Sequence, residues 1–152
     1  MKLEIADLER GESIPDRYTC VGRNASPQII WGDVPQNTRS FALIVDDPDA
    51  PAGTWTHWLA YNIPGKQRGI PENIDTAPRL PDGTMQGRND FRKIGYGGPC
   101  PPRGHGPHRY FFRLYALDSP LQLEPGAGRA ELERAMNGHV LEQAELMGRF
   151  QR

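Results

Sequence analysis

Two proline-rich segments each carry acidic, imidazole or phenolic side chains up to the start of an apolar run. The first, Asp46-Asp47-Pro48-Asp49-Ala50-Pro51, passes through Trp55-Thr56-His57 into Trp58-Leu59-Ala60-Tyr61-Asn62-Ile63. The second, Gly95-Tyr96-Gly97-Gly98-Pro99-Cys100-Pro101-Pro102, leads to His108-Arg109-Tyr110. In the first, prolines stiffen an acidic turn, so Asp47, Asp49 and His57 sit where a loop meets a rigid strand, a common location for binding chemistry. In the second, glycines free the backbone amides from side-chain obstruction and prolines fix the loop. Strand side chains alternate, so His108 and Tyr110 point to one face. Brought together, Asp47, Asp49, His57, His108, Tyr110 and the amides around Gly97–Cys100 make a pocket for a small anion. Amides and a phenol donate hydrogen bonds, and a histidine is neutral or charged as the ligand requires.

Each piece also has a plainer reading. Asp and Pro form turns for separate reasons, so Asp-Pro-Asp-Ala-Pro taken alone is a turn. His57 alone is a hydrogen-bonded, partly buried histidine, Tyr110 alone a core aromatic and His105 a loop histidine. Two carboxylates and two histidines could activate water on a phosphate ester, which makes a weak phosphoester hydrolase an alternative. Against it, there is no Gly-x-Ser-x-Gly elbow, and no serine or threonine has an evident claim to be a nucleophile. Asp47, Asp49 and His57 could also supply oxygen and nitrogen to a metal, but their spacing is no recognised metal signature. The expectation is therefore a non-enzymatic binding protein with no cofactor and no metal.

Several elements must position these residues. Apolar runs at Gln28–Trp31, Ser40–Asp46, Trp58–Ile63 and Arg109–Leu117 alternate with turn-rich segments such as Val34-Pro35-Gln36-Asn37 and Leu80-Pro81-Asp82-Gly83. That punctuation predicts a mainly β fold of antiparallel sheets. Phe41-Ala42-Leu43-Ile44-Val45 is apolar on both faces and belongs in the middle, whereas Arg109 and Arg113 give the last run a wetter face opposite Tyr110, Phe112 and Leu114. The stretch Gln67–Asn89 reads as an excursion between strands. From Ala130 to Phe150, apolar residues recur at spacings of three and four, which predicts one substantial C-terminal helix, with Gly138 as its weak point.

Composition narrows the partners. The 152 residues read as a single domain, 1–152. A formal net charge of −1 gives no positive field for nucleic acid or an anionic membrane, so any anion is bound locally. Gly and Pro number 17 and 15, interleaved with aromatic and β-branched runs as in a loop-rich β domain rather than a disordered one. The start, Met1-Lys2-Leu3-Glu4-Ile5-Ala6-Asp7, carries acids where a secretory signal needs an apolar stretch, and no run reaches the ~20 apolar residues of a membrane span. The expectation is a soluble, cytoplasmic protein without membrane insertion. Cys20 and Cys100 can in principle pair, but without an export signal they are expected to be reduced.

The two segments together resemble the two signature regions of the phosphatidylethanolamine-binding protein family, also called the Raf kinase inhibitor protein family. Asp47-Pro48-Asp49-Ala50-Pro51 with Trp55-Thr56-His57 matches one region, and Gly97-Gly98-Pro99-Cys100-Pro101-Pro102 with Gly106-Pro107-His108-Arg109-Tyr110 the other. Tyr18–Pro27 and Gly138–Gly148 resemble its bacterial and archaeal branch. The resemblance implies a compact fold of two antiparallel sheets with peripheral helices and a small, solvent-reachable pocket for phosphate-like or carboxylate anions, among them phospholipid head groups or phosphorylated ligands. It implies that Asp47, His57, His108 and Tyr110 line the pocket, with Asp49, Trp55, Gly98, Cys100 and Pro102 shaping or closing it. It also implies a cis bond at Ala50-Pro51. Cys100 departs from the glycine of eukaryotic members and matches the prokaryotic branch. The family name leaves protease or kinase inhibition through a surface loop as an alternative, and a regulatory role, a protein partner and a homodimer stay open.

Overall fold

The computed structural model describes all 152 residues, Met1–Arg152. Eight strands and one helix follow one another as β1 (Lys2–Ile5), β2 (Ile29–Gly32), β3 (Ser40–Asp47), β4 (Trp55–Pro64), β5 (Gly69–Ile70), β6 (Met85–Gln86), β7 (His108–Leu117), α1 (Arg129–Met136) and β8 (Val140–Phe150). They form two antiparallel sheets, a small one ordered β1-β2-β5 and a large one ordered β6-β4-β3-β7-β8.

The doubly apolar run lies where its pattern requires. Every residue of β3 is buried, with β4 and β7 as its neighbours. Phe41, Leu43 and Val45 face the small sheet and join Ile5, Ile29 and Trp31 in one cluster. Ala42 and Ile44 face the other way and pack with Leu132 and Met136 of α1. The central sheet is thus covered on one side by strands and on the other by the helix, so neither of its faces can be polar.

Alternation also separates two adjacent acids at the end of β3. Asp46 points toward α1, where its carboxylate pairs with Arg113 at 2.6 Å and Arg129 at 2.7 Å. Asp47 points to the opposite face. The two neighbours therefore serve different ends, Asp46 a buried ion network and Asp47 the cavity described below.

The long C-terminal helix is not formed. Its first part is α1, but Gly138 takes φ +84, a left-handed conformation in which the helix stops, and the chain returns as β8 beside β7. Along β8, Ala144, Leu146 and Phe150 are buried, while Glu145 and Arg149 face out, a period of two rather than 3.6. β7 offers a paired edge as well as an apolar face, so ladder hydrogen bonds and burial together override the local helical spacing. The Ala50-Pro51 bond is trans, as are all peptide bonds in the chain. The turn is closed instead by the Asp49 amide donating to Asp47 Oδ1 at 2.7 Å and by Gly53 N–H donating to the Ala50 carbonyl at 3.1 Å.

The excursion Gln67–Asn89 holds only the short β5 and β6, but it is pinned from within. Gln86 is fully buried; its amide donates to the carbonyls of Asp75 and Ala77 and accepts the indole N–H of Trp58.

Candidate functional site

Antiparallel pairing places the end of β3 beside the starts of β4 and β7. Asp47 pairs across from Trp55, and Asp46 from Phe111. This sheet end, capped by the Pro-rich loops, encloses a cavity of about 210 Å³ lined by Asp47, Ala50, Pro51, Trp55, His57, Phe91, Cys100, Pro101, Pro102, His108 and Tyr110. Seven of the nine residues expected from sequence are on that lining, and both sequence segments contribute.

Asp49 and Gly98 stand outside it. The Asp49 carboxylate accepts from the Arg109 backbone and from its guanidinium at 2.8–2.9 Å, and this partner holds its pKa down at about 2. Asp49 is a strut that ties the acidic turn to β7. Gly98 N–H donates to Asn24 Oδ1 at 2.8 Å, and Gly97 N–H to the His57 carbonyl at 2.9 Å. These two amides already have protein acceptors, so the expected use of Gly97 and Gly98 as anion donors is corrected, whereas the Cys100 N–H has no protein acceptor. A loop laid against β4 must satisfy its own backbone first.

The expected free thiols are also corrected, because Cys20 and Cys100 form a disulfide, with Cα atoms 5.4 Å apart. Cys20 N–H donates to the Pro99 carbonyl, which lays the N-terminal segment alongside the second loop and brings the sulfurs together across 80 residues of sequence. An argument from compartment and spacing has no access to that juxtaposition.

Hydrogen bonds assign roles to the polar lining. His57 Nδ1 lies 2.6 Å from the Gly97 carbonyl, an acceptor, so Nδ1 carries hydrogen and Nε2 is the nitrogen left over. Burial, opposed by that carbonyl and by Asp47, pushes the His57 pKa below its ordinary value. His108 Nδ1 lies 2.7 Å from Asp47 Oδ2, with both side chains almost wholly enclosed. An ionised carboxylate only accepts, so this Nδ1 also carries hydrogen. Tyr110 packs edge-on to His57 and stacks over His108, with ring centroids 5.2 and 6.5 Å away. Burial first, then the charge of Asp47 and a hydrogen bond with it, raise its phenol far above the usual value. Trp55 Nε1 is buried with no protein acceptor. A buried N–H without a partner is costly, and Trp31 Nε1 in the core shares that state.

Four lining residues, Ala50, Pro51, Phe91 and Pro101, were not among the nine expected, and the neighbouring His105 was read otherwise. Phe91 closes the cavity edge-on to Trp55 and His57, at 5.5 and 5.4 Å, from a turn whose amides bond to Asn89 Oδ1. His105, read as a loop histidine, sits with Nδ1 2.6 Å from His108 Nε2. Its signal was its place between two glycines, three residues before a pocket histidine. Asp47, Asp49 and His57 do not converge as a ligand set, and no three His, Cys, Asp or Glu side chains are arranged to hold a metal ion.

This architecture, two unequal antiparallel sheets with a small polar cavity at the end of the central strands, defines a class of β protein with a pocket at the sheet end. A sequence model of the phosphatidylethanolamine-binding protein family matches residues 4–151, and the chain belongs to that family. The UPF0098 protein of Methanothermobacter thermautotrophicus is 56% identical over 144 residues, 95% of this chain and 93% of that one. CT736, a phosphatidylethanolamine-binding protein homolog from Chlamydia trachomatis, superposes with a TM-score of 0.90 at 37% identity, covering 99% of this chain and 96% of its own. YbcL of E. coli, a member of the mammalian PEBP family, gives 0.90 at 33% identity, covering 99% of this chain and 98% of its own.

Proposed function

We propose that the protein is a non-enzymatic binding protein whose sheet-end cavity takes a small phosphate-like or carboxylate anion. One observation carries this reading most: a single cavity at the sheet end gathers the Tyr110 phenol, His57 and the Asp47–His108 pair from the two loop-and-strand segments. The Tyr110 hydroxyl suits a ligand oxygen. Neutral His57 offers a lone pair at Nε2, suited to the hydroxyl of a half-protonated phosphate, and its imidazolium would serve an anion without one. At about 210 Å³ the cavity is smaller than the roughly 300–1,000 Å³ of drug-sized sites, so it admits a head group rather than a whole lipid or nucleotide.

Binding is favoured over turnover by what lines the wall. The cavity's one aliphatic-type sulfur, on Cys100, is held in the disulfide, and its one hydroxyl, on Tyr110, is far from ionising. Neither is an activated nucleophile. No helix is long and apolar enough to cross a membrane. We place the protein in the cytoplasm, although the Cys20–Cys100 disulfide is unusual in a reducing compartment; cell fractionation with thiol trapping tests the placement, and recovery outside the cytoplasm refutes it. Calorimetry with sulfate, inorganic phosphate and acetate, followed by crystals grown with each, tests the pocket. Density for the anion against Trp55 and Tyr110 is the expected result; binding elsewhere, or none at millimolar anion, refutes it.

A further inference from the structure

We propose that His105, from just outside the cavity lining, is an internal occupant of His108 Nε2: it holds that nitrogen until a ligand displaces it, and so sets which anions enter. This rests on the reading of the cavity as an anion site.

The Asp47 carboxylate fixes hydrogen on His108 Nδ1. Neutral His108 then presents Nε2 as a lone pair, and His105 Nδ1 stands 2.6 Å from it, with ring centroids 4.9 Å apart. Whichever ring supplies the hydrogen of that bond, both nitrogens of a histidine that is only 2% exposed are spent within the protein. In this state His108 has nothing to offer an anion. A buried imidazole whose outer nitrogen is covered by an exposed side chain is a closed position rather than a vacant one.

The loop carrying His105 is fixed at its base and leaves open space around the exposed His105 side chain. Gly104 and Gly106, on either side, take φ +75 and +85, and no atom lies within 4 Å of where a Cβ would stand on either. The base is held by the chain end: Arg152 Nε donates to the Pro101 carbonyl at 2.7 Å, and Gly104 N–H to the Arg152 carbonyl at 3.1 Å. His108 gives His105 its one side-chain bond. Turning the His105 side chain about its own torsions therefore costs one hydrogen bond, while its backbone N–H keeps its bond to the Pro102 carbonyl at 3.2 Å and Pro101, Pro102 and His108, which line the cavity, keep their places. An anion that supplies a new partner for a protonated His108 Nε2 replaces what is lost, with Asp47 balancing the imidazolium charge from the other side. A ligand unable to reach Nε2 leaves His105 in place.

The test compares wild type, His105→Ala and His105→Gln at one pH by sulfate calorimetry, with imidazole 1H–15N spectra of the ligand-free proteins. Removing the competing bond should tighten sulfate binding in His105→Ala by about two- to tenfold, while His105→Gln, which retains an N–H donor, should lie nearer wild type. The spectra should show the His108 Nε2 resonance shifted by His105→Ala alone, and shifted in wild type on adding sulfate. Unchanged or weaker sulfate binding in His105→Ala, with wild type binding normally, overturns the occupant role; weaker binding would make His105 a direct ligand. Absence of sulfate and phosphate binding in every protein instead overturns the anion-pocket reading, and this proposal with it. An unchanged His108 resonance in His105→Ala overturns the bond itself whatever the affinities.

Discussion

Tyr110→Phe isolates one hydroxyl. The ring of Tyr110 is buried and packs against both pocket histidines, and phenylalanine keeps those contacts. The phenol stays protonated well beyond neutral pH, so its role as a donor does not vary between pH 5 and 8. A hydrogen bond between neutral groups is worth about 0.5–1.5 kcal/mol net, and one to a charged acceptor about 1.5–3 kcal/mol. Sulfate is charged, and the cavity is shielded but open to solvent, so the lower end of the second range applies: about 1.5 kcal/mol, close to a tenfold loss of affinity. Folding should suffer little, because the lost hydroxyl is replaced by no cavity larger than itself. A cost below about 1 kcal/mol would move the melting temperature of a chain this long by no more than about 2–4 °C. Sulfate calorimetry at pH 5.5 and a melting curve on the same samples give both numbers. Affinity within twofold of wild type would refute the assignment of Tyr110 as a ligand donor. A melting point lowered by 10 °C or more would show that its hydroxyl serves the fold.

Sulfate affinity should strengthen as pH falls. A bound anion favours the imidazolium of His57 and raises its pKa in the complex, so binding is strongest below the free value and is lost as pH rises through the bound value. Burial lowers the free value, so the rise should lie on the acid side of the ordinary ~6.5. Titrations from pH 5 to 8 that stay flat would remove His57 from the ligand set. Gln86→Leu should destabilise the fold by about 3 kcal/mol or more, since it strips the buried Trp58 indole of its acceptor and the Asp75 and Ala77 carbonyls of their donor; denaturant unfolding measures it, and a loss under 1 kcal/mol would mean water replaces the amide. Reducing Cys20–Cys100 should cost about 2–4 kcal/mol, because the bond closes a loop of about 80 residues in the unfolded chain. Melting with and without dithiol reductant checks this, and equal midpoints would contradict it.

The strands that carry the site were legible because their signals are local. β3 is apolar on both faces because it is covered on both, and the alternation of Arg109, Tyr110, Phe111 and Phe112 already assigns each to a side. The acidic turn and the Gly-Pro loop were legible as well, since proline and glycine restrict the backbone whatever surrounds it. Three features had no local signature. Residues 140–150 carry both a helical and an alternating spacing, and only the free edge of β7 decides between them. Cys20 and Cys100 are close because two distant loops share a hydrogen bond. The amides of Gly97 and Gly98 look available in sequence, yet they are consumed by Asn24 and by β4. The sequence thus determines which residues are rigid, turned or buried, through short-range sterics and hydrophobic period. Which polar groups remain free to meet a ligand is decided by partners far along the chain, and only the tertiary structure supplies those.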